Sequence, residues 1–294
     1  MTSASNRSAT AKLKVLVQFT TERLIAAGIE TPRLDAELLL AFAAGATRER
    51  LLTETIVIDD AVRARYARLI DLRATRMPLA YIVGQREFYS LKLNVSHEVL
   101  IPRPETETLV TAALAHIVAR PKAWVIDLGT GSGAIAVAIA VNARHARIVA
   151  TDVSAGALAI AARNAARLGV AERIEFRRAD CWTVIDGSDP IGRFDLAVAN
   201  PPYIREDEIS SLAPEIRDFE PRVALAGGTD GLAFYRRIAG GAKNHLTAHG
   251  SLMVEVGQGQ ADDVAAIFQA CGLGEIAVIN DLAGIARVVQ ATML

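Results

Sequence analysis

The sequence predicts an α/β protein: a mostly parallel seven-stranded sheet with an antiparallel last strand, preceded by a small N-terminal helical bundle and a linking β-hairpin. Three observations predict it. From residue 121 onward, short apolar runs alternate with stretches of helical periodicity, the pattern of a parallel sheet covered on both faces. Before residue 78, apolar residues recur at three- and four-residue spacings. Between the two, residues 78–103 carry the shorter period of paired strands. The expected divisions are therefore a helical domain over 1–77, a hairpin linker over 78–103 and an α/β domain over 104–294.

Composition narrows the class. The chain has 294 residues, 51% of them hydrophobic, enough for one large core or two smaller ones. Its net charge of −1 exerts no global pull on nucleic acid. The longest apolar runs, around residues 134–141, are rich in Ala and soon interrupted by polar residues on either side, so no membrane span is expected. Cys181 and Cys271 form neither a disulfide framework nor a metal-ligand spacing, and the five histidines are scattered. We expect no metal and a reducing, cytoplasmic setting. The first ten residues lack the apolar core of a secretory signal and are expected to fray; being Ser/Thr-rich without acids, they leave an organellar transit segment as the alternative.

Taken in order, Leu13, Val17, Leu24 and Ile25 mark a first helix within a helical pattern that begins at Ala11. Thr31-Pro32 starts a second, with Leu34, Leu38, Leu39 and Phe42 following and Gly45 ending it. A short helix near 47–53 follows. Asp59-Asp60 opens a fourth carrying Val62, Tyr66, Leu69 and Ile70. Phe88, Leu91, Leu93 and Val95 among polar residues make the hairpin, and Pro104-Glu105-Thr106-Glu107 opens the next helix. The expected sheet strands are 124–128, 147–152, 173–177, 194–199, 251–256, 276–280 and 285–290. Helices are expected over 132–141, 154–168, 231–248 and 261–271. The last two strands, joined by a short link, can only be antiparallel neighbours.

Two turns carry chemistry. Asp127-Leu128-Gly129-Thr130-Gly131-Ser132-Gly133 joins the first strand to its helix, and its glycines let backbone approach a ligand closely. The G-x-G-x-G spacing misses the dinucleotide fingerprint, G-x-G-x-x-G. Asp127 suits a ligand with a cationic amino group rather than a pyrophosphate. Asp152 ends the second strand, where a carboxylate can bind ribose hydroxyls, and Asp180 follows the third, where an adenine edge would lie. Together these residues suggest S-adenosylmethionine. The second turn is Asn200-Pro201-Pro202-Tyr203, closing the fourth strand. Proline has no N–H, so the turn presents carbonyl oxygens, one amide side chain and an aromatic face. That set suits a planar NH₂ group, either a carboxamide or an exocyclic base amine.

At these residues the chain resembles the class I S-adenosylmethionine-dependent methyltransferases that modify planar nitrogen. Further stretches resemble the peptide chain release factor glutamine N5-methyltransferases, the HemK/PrmC family. These are Pro78-Leu79-Ala80-Tyr81-Ile82-Val83-Gly84, Leu100-Ile101-Pro102-Arg103-Pro104-Glu105-Thr106-Glu107, Glu220-Pro221-Arg222 with Ala224-Leu225, Gly227 through Gly231, and Asp281-Leu282-Ala283-Gly284 with Arg287-Val288-Val289. The resemblance runs from about residue 10 to the end, and generic methyltransferases lack the segment from Ile101 to Glu107.

The resemblance implies a Rossmann-like methyltransferase domain using S-adenosyl-L-methionine and releasing S-adenosyl-L-homocysteine. It implies a class 1 release factor as protein substrate and a role in translation termination, with no direct nucleic-acid or membrane partner; a monomer is the default. It implies cofactor contacts from Gly129, Thr130, Gly131, Ser132, Gly133, Asp152, Asp180 and Asn200. Asn200, Pro201, Pro202 and Tyr203 would hold the glutamine, with Asn200, Pro201 and Tyr203 serving catalysis. One departure stands out: family members commonly carry an aromatic directly after the acid at position 180, whereas here Cys181 comes next and Trp182 after it. Either Trp182 lies against the adenine or Cys181 lines that wall. An N6-adenine or N4-cytosine nucleic acid methyltransferase is the alternative, since the same turn suits a flipped base. Against it stand the near-neutral charge and the lack of a basic insert. A non-catalytic interaction protein is the other alternative, opposed by intact glycine and proline turns.

Overall fold

The structure is a computed structural model describing residues 2–53, 56–183 and 192–293. Its contacts divide into two units, Met1–Gly84 with Pro214–Phe219, and Gln85–Ala213 with Glu220–Leu294.

The first unit is helical: α1 (Thr2–Ala26), α2 (Pro32–Ala43), α3 (Arg48–Thr53), α4 (Asp60–Ala74) and α5 (Leu79–Val83). Helix α1 starts well before Ala11, in place of the expected frayed end; no Gly or Pro interrupts the segment. Asp59 caps α4 by accepting the Val62 N–H at 2.8 Å. Leu24, Leu39, Leu40, Leu51, Tyr66 and Ile70 form the core. The buried Tyr66 phenol finds its polar partners in the Thr20 hydroxyl at 2.6 Å and the Ala36 carbonyl at 3.1 Å. Arg73 is buried too. It reaches Asp35 at 2.7 Å and Glu215, on the one-turn helix Pro214–Arg217, at 3.2 Å. A buried guanidinium needs such partners, so this cluster explains why 214–219 belongs to the helical unit.

The second unit opens with the hairpin β1 (Gln85–Phe88) and β2 (Leu91–Asn94). Its turn residues Tyr89 and Ser90 both have positive φ, 50° and 60°, matching the twist of a tight hairpin. Helix α6 (Glu107–Ile117) anchors the turn, for Glu107 accepts the Tyr89 N–H at 2.8 Å. Then follow β3 (Trp124–Leu128), α7 (Ala134–Asn142), β4 (Arg147–Asp152), α8 (Ala155–Arg167), β5 (Ile174–Arg178) and β6 (Phe194–Ala199). After α9 (Pro214–Arg217), the helix already placed with Arg73, come α10 (Ala233–His245), β7 (Leu246–Glu255), α11 (Ala261–Ala270), β8 (Gly274–Asn280) and β9 (Ala286–Thr292).

The sheet order is β5-β4-β3-β6-β7-β9-β8. Strands β5 to β7 are parallel neighbours, and β9 inserts antiparallel between β7 and β8. Both faces are buried. Val125, Ile148, Leu196 and Met253 pack on α6 and α7, and Ile126, Val149, Ala197 and Val254 pack on α10 and α11. Two boundaries differ from expectation. Helix α7 begins at Ala134 rather than residue 132 because Gly133 is left-handed at φ 79°. Strand β7 begins at Leu246 rather than 251, since Leu246 pairs with Phe194 across an irregular register. Among the described residues no helix is long and apolar enough to cross a membrane.

The chain runs outward from β3 through β4 to β5 and then returns to place β6 on the other side of β3. Open α/β sheets bind ligands beyond the carboxyl ends of strands at such a reversal.

Candidate active site

A cavity of about 280 Å³ opens at that point, lined by the segments that follow β3, β4, β5 and β6. Of the residues singled out from sequence, Gly129, Thr130, Gly131, Ser132, Asp152, Asp180, Cys181, Asn200, Pro201 and Pro202 line it. Gly133, Trp182 and Tyr203 stand behind the wall.

The glycine turn is held from beneath. The N–H groups of Gly129 and Thr130 both donate to the Thr151 carbonyl, at 2.9 and 2.8 Å. Gly129 and Gly131 have φ of 75° and 56°, and a Cβ on either would meet nothing within 4 Å. Backbone is thus exposed to the cavity with room beside it. Gly133 differs: a Cβ there would lie 2.9 Å from the Ala161 Cβ. The missing side chain lets α7 approach α8 closely. Asp152 ties the turns of β3 and β4 together, accepting from Gly131 N at 2.9 Å and Ser154 N at 2.9 Å. Burial raises its pKa, against these backbone hydrogen bonds.

Asp127 is fully buried and stands behind the turn rather than on the cavity wall. Its Oδ2 accepts from the Thr130 hydroxyl at 2.6 Å and from Ala136 N at 3.2 Å, while Oδ1 has no partner. Desolvation pushes its pKa up to about 7. The acids on the wall are instead Glu98, Asp152 and Asp180, and Arg237 pairs with Asp180 at 2.7 Å.

The loop after β5 turns Cys181 and Trp182 to different surroundings. Cys181 adopts φ 51° and sits in the cavity wall. Trp182 turns away, stacks on His245 with ring centroids 4.6 Å apart, and donates its indole N–H to the Ile238 carbonyl at 3.0 Å. Gly241 makes this possible, since a Cβ there would fall 2.1 Å from Trp182 Cδ1. Trp182 thus packs in the core against α10 and does not line the cavity. An indole that satisfies its N–H in the apolar core gains more than one left at a wet wall.

The turn after β6 is cradled by glycines that sequence reading left without a role. A Cβ on Gly227 would lie 2.8 Å from the Pro202 carbonyl oxygen, and one on Gly231 2.5 Å from that of Tyr203. The Gln260 amide donates to the Tyr203 carbonyl at 3.0 Å. Tyr203 is half-buried and packs against the core that α11 helps to form, and burial pushes its phenol up to about 12. Asn200 Nδ2 donates to Thr106 Oγ1 at 3.1 Å. Arg103, on the cavity wall, donates from Nη2 to both carboxylate oxygens of buried Glu220, at 2.7 and 2.9 Å. Glu255, the last residue of β7, lies buried behind Asn200. Its signal in the sequence was a carboxylate interrupting the continuous apolar run from Leu252 to Val256.

The residues present fit S-adenosylmethionine. Exposed backbone at Gly129 and Gly131, the Asp152 carboxylate and the apolar wall near Cys181 offer respectively hydrogen-bonding backbone, an acceptor for hydroxyls and a face for a flat base.

Comparison with known proteins bears on the same segments. The PrmC N-terminal domain matches residues 16–84, and the methyltransferase small domain matches residues 107–216. Over 275 residues the chain is 44% identical to the release factor glutamine methyltransferase of Cereibacter sphaeroides, covering 92% of this chain and 95% of the relative. It is 42% identical to that of Nitratidesulfovibrio vulgaris, covering 99% and 98%. Among solved structures, the catalytic domain of hMettl16 in complex with a MAT2A 3′UTR hairpin has a TM-score of 0.57 at 15% identity, covering 77% of this chain and 82% of that one. A methyltransferase from Pyrococcus furiosus has a TM-score of 0.51 at 17% identity, covering 78% and 98%. These two likenesses concern the fold alone.

Proposed function

Because the chain belongs to the release factor glutamine methyltransferases, we propose that it transfers a methyl group from S-adenosylmethionine to the side-chain amide nitrogen of a glutamine in class 1 peptide chain release factors. The observation that carries this reading is the pairing, in one cavity, of a glycine turn with an Asn200-Pro201-Pro202 turn whose two prolines carry no N–H.

When bound, the cofactor supplies an electrophilic methyl carbon on a sulfonium sulfur. Gly129, Gly131 and Asp152 would hold it, with Asp180 and Cys181 on the base side. An amide nitrogen is a weak nucleophile because its lone pair is delocalised into the carbonyl. Asn200 Oδ1 and the Pro201 carbonyl accept the two N–H bonds of the glutamine amide. This aims the nitrogen lone pair and favours the positive charge that develops as nitrogen reacts. Tyr203, fixed by Gln260 and by packing, backs the turn and keeps it rigid. The proton leaves the methylated nitrogen for water once that nitrogen has become acidic, so no strong base is required. Positioning supplies the rate.

The helical unit, whose residues 16–84 match the PrmC N-terminal domain, grips the release factor in this reading. The setting is the cytoplasm, where release factors act. The test incubates the full chain with labelled S-adenosylmethionine and either a purified release factor or DNA, and locates the label, by peptide mapping for the protein. Label on the amide of one glutamine supports the reading; label on nucleic acid, on another residue type, or none at all overturns it.

A further inference from the structure

We propose that Glu255 is a positioning residue which, through the Thr106 hydroxyl, fixes which end of the Asn200 amide faces the substrate. This rests on the glutamine-methylation reading above.

An Asn side chain has a donor end and an acceptor end of nearly equal shape. Asn200 can hold a substrate NH₂ only with its oxygen toward the cavity; turned over, it would set donor against donor. Something must therefore decide its orientation. Asn200 Nδ2 donates to Thr106 Oγ1 at 3.1 Å. A threonine hydroxyl has one hydrogen, and it orients to suit its neighbours. If that hydrogen points at an acceptor on the far side, Thr106 can only accept from Asn200, and Asn200 Oδ1 is left for the substrate. Glu255 is that acceptor. Its carboxyl lies within hydrogen-bonding reach of both Thr106 and Asn200, and only 2% of the residue is exposed. Glu255 Oε2 has no partner, a costly arrangement for a buried carboxylate and one that asks for a reason.

The groups facing Glu255 come from every element around it. Arg287 on β9 favours the carboxylate, and Glu105 before α6 opposes it. The phenols of Tyr203 and Tyr235 lie close, and Tyr235 donates to the Glu255 main-chain carbonyl at 3.0 Å. Burial outweighs the favourable contacts and raises the carboxyl to about 7. Below that pH a protonated Glu255 can donate to Thr106, which frees the Thr106 hydrogen for Asn200 Oδ1 and releases the amide to turn over. Above it the relay runs one way only. Turnover thus rises with pH through neutrality.

The experiment measures kcat, KM for release factor and cofactor Kd across neutral pH for the full chain, Glu255→Gln, Thr106→Val and Thr106→Ser. Glu255→Gln is expected to lose about tenfold in kcat above neutrality, the worth of one oriented hydrogen bond. It also loses the pH-dependent rise while keeping cofactor Kd. Asp127 titrates in the same range, and a rise that persists in Glu255→Gln belongs to Asp127 and overturns the proposal. Thr106→Val reproduces the loss, and Thr106→Ser, which keeps the hydroxyl, recovers most of it. Thr106→Val carries the test if Glu255→Gln does not fold. Wild-type kcat in Glu255→Gln or Thr106→Val, with glutamine still labelled, overturns this proposal alone. Absence of glutamine label from the wild-type chain overturns the functional reading and takes this proposal with it.

Discussion

The turn after β3 and the turn after β6 end neighbouring parallel strands, Leu128 pairing with Ala199, yet they meet the cavity with opposite chemistry. The first is glycine-rich, runs through left-handed backbone at three positions and exposes main chain. The second is proline-rich, has no N–H at two successive positions and offers carbonyl oxygens and one side-chain amide. Each is backed by a buried carboxylate, Asp127 in one case and Glu255 in the other. Each carboxylate has one oxygen without a partner and is raised to about 7 by desolvation. The difference lies in what the carboxylate holds. Asp127 braces backbone through Thr130 and Ala136, so its turn is shaped by main-chain geometry. Glu255 addresses a side chain through Thr106, so its turn depends on the orientation of one amide. A single cavity thereby provides a backbone cradle on one side and an acceptor pair on the other.

This comparison can be broken most sharply at Asn200. Asn200→Ala should lower kcat by about 10²-fold or more while S-adenosylmethionine still binds, because one oriented partner of the developing charge is gone. Near-normal kcat in a steady-state assay would remove the acceptor role. Next in size is Gly133→Ala, whose new Cβ meets α8 and whose backbone stays left-handed. It should destabilise the fold by about 2–3 kcal/mol in denaturant titration, with little specific effect on cofactor affinity once folded. Gly129→Ala sharpens the contrast, since its Cβ meets open space. It should cost stability only about 1–2 kcal/mol from backbone strain and show its main effect in cofactor Kd by calorimetry. Equal stability losses at the two glycines would erase the distinction between a packing glycine and a cradle glycine.

A separate effect is expected on the pH dependence of folding. Asp127 has a folded pKa of about 7 against an ordinary 3.8, so the folded state holds its proton more tightly. The stability contributed by the neutral form is complete below about pH 4 and is lost as pH rises towards 7. The slope from this group is at most about 1.4 kcal/mol per pH unit. Asp127→Asn should flatten that slope in thermal melts while Thr130 and Ala136 keep an acceptor. A slope unchanged by the substitution would mean that Asp127 is ionised in the fold throughout.

Legibility differed between the two turns for a physical reason. Gly129, Thr130, Gly131, Asp152 and Asn200 to Pro202 were readable because their chemistry is local: glycine permits a backbone, proline removes a donor, and strand ends face the ligand side of a parallel sheet. Trp182 was not readable, because whether an indole faces a cavity or a core depends on what lies opposite, here His245 and the gap left by Gly241 on α10. Gly227, Gly231 and Gln260 were recognisable as a pattern without a role, since the turn they cradle lies 24 or more residues away in sequence and beside them only in space.

The sequence by itself determined the alternation of strands and helices, the antiparallel closing pair, the two turns and the class of chemistry between them. Each of these follows from periodicity or from the backbone limits of single residue types. Tertiary structure alone decided the placement of β9 between β7 and β8, the return of 214–219 to the helical unit through Arg73, and the convergence of Thr106, Asn200 and Glu255. Those depend on buried polar groups finding partners. A buried guanidinium, amide or carboxylate accepts whichever partner the packing brings near, and no local rule names that partner in advance.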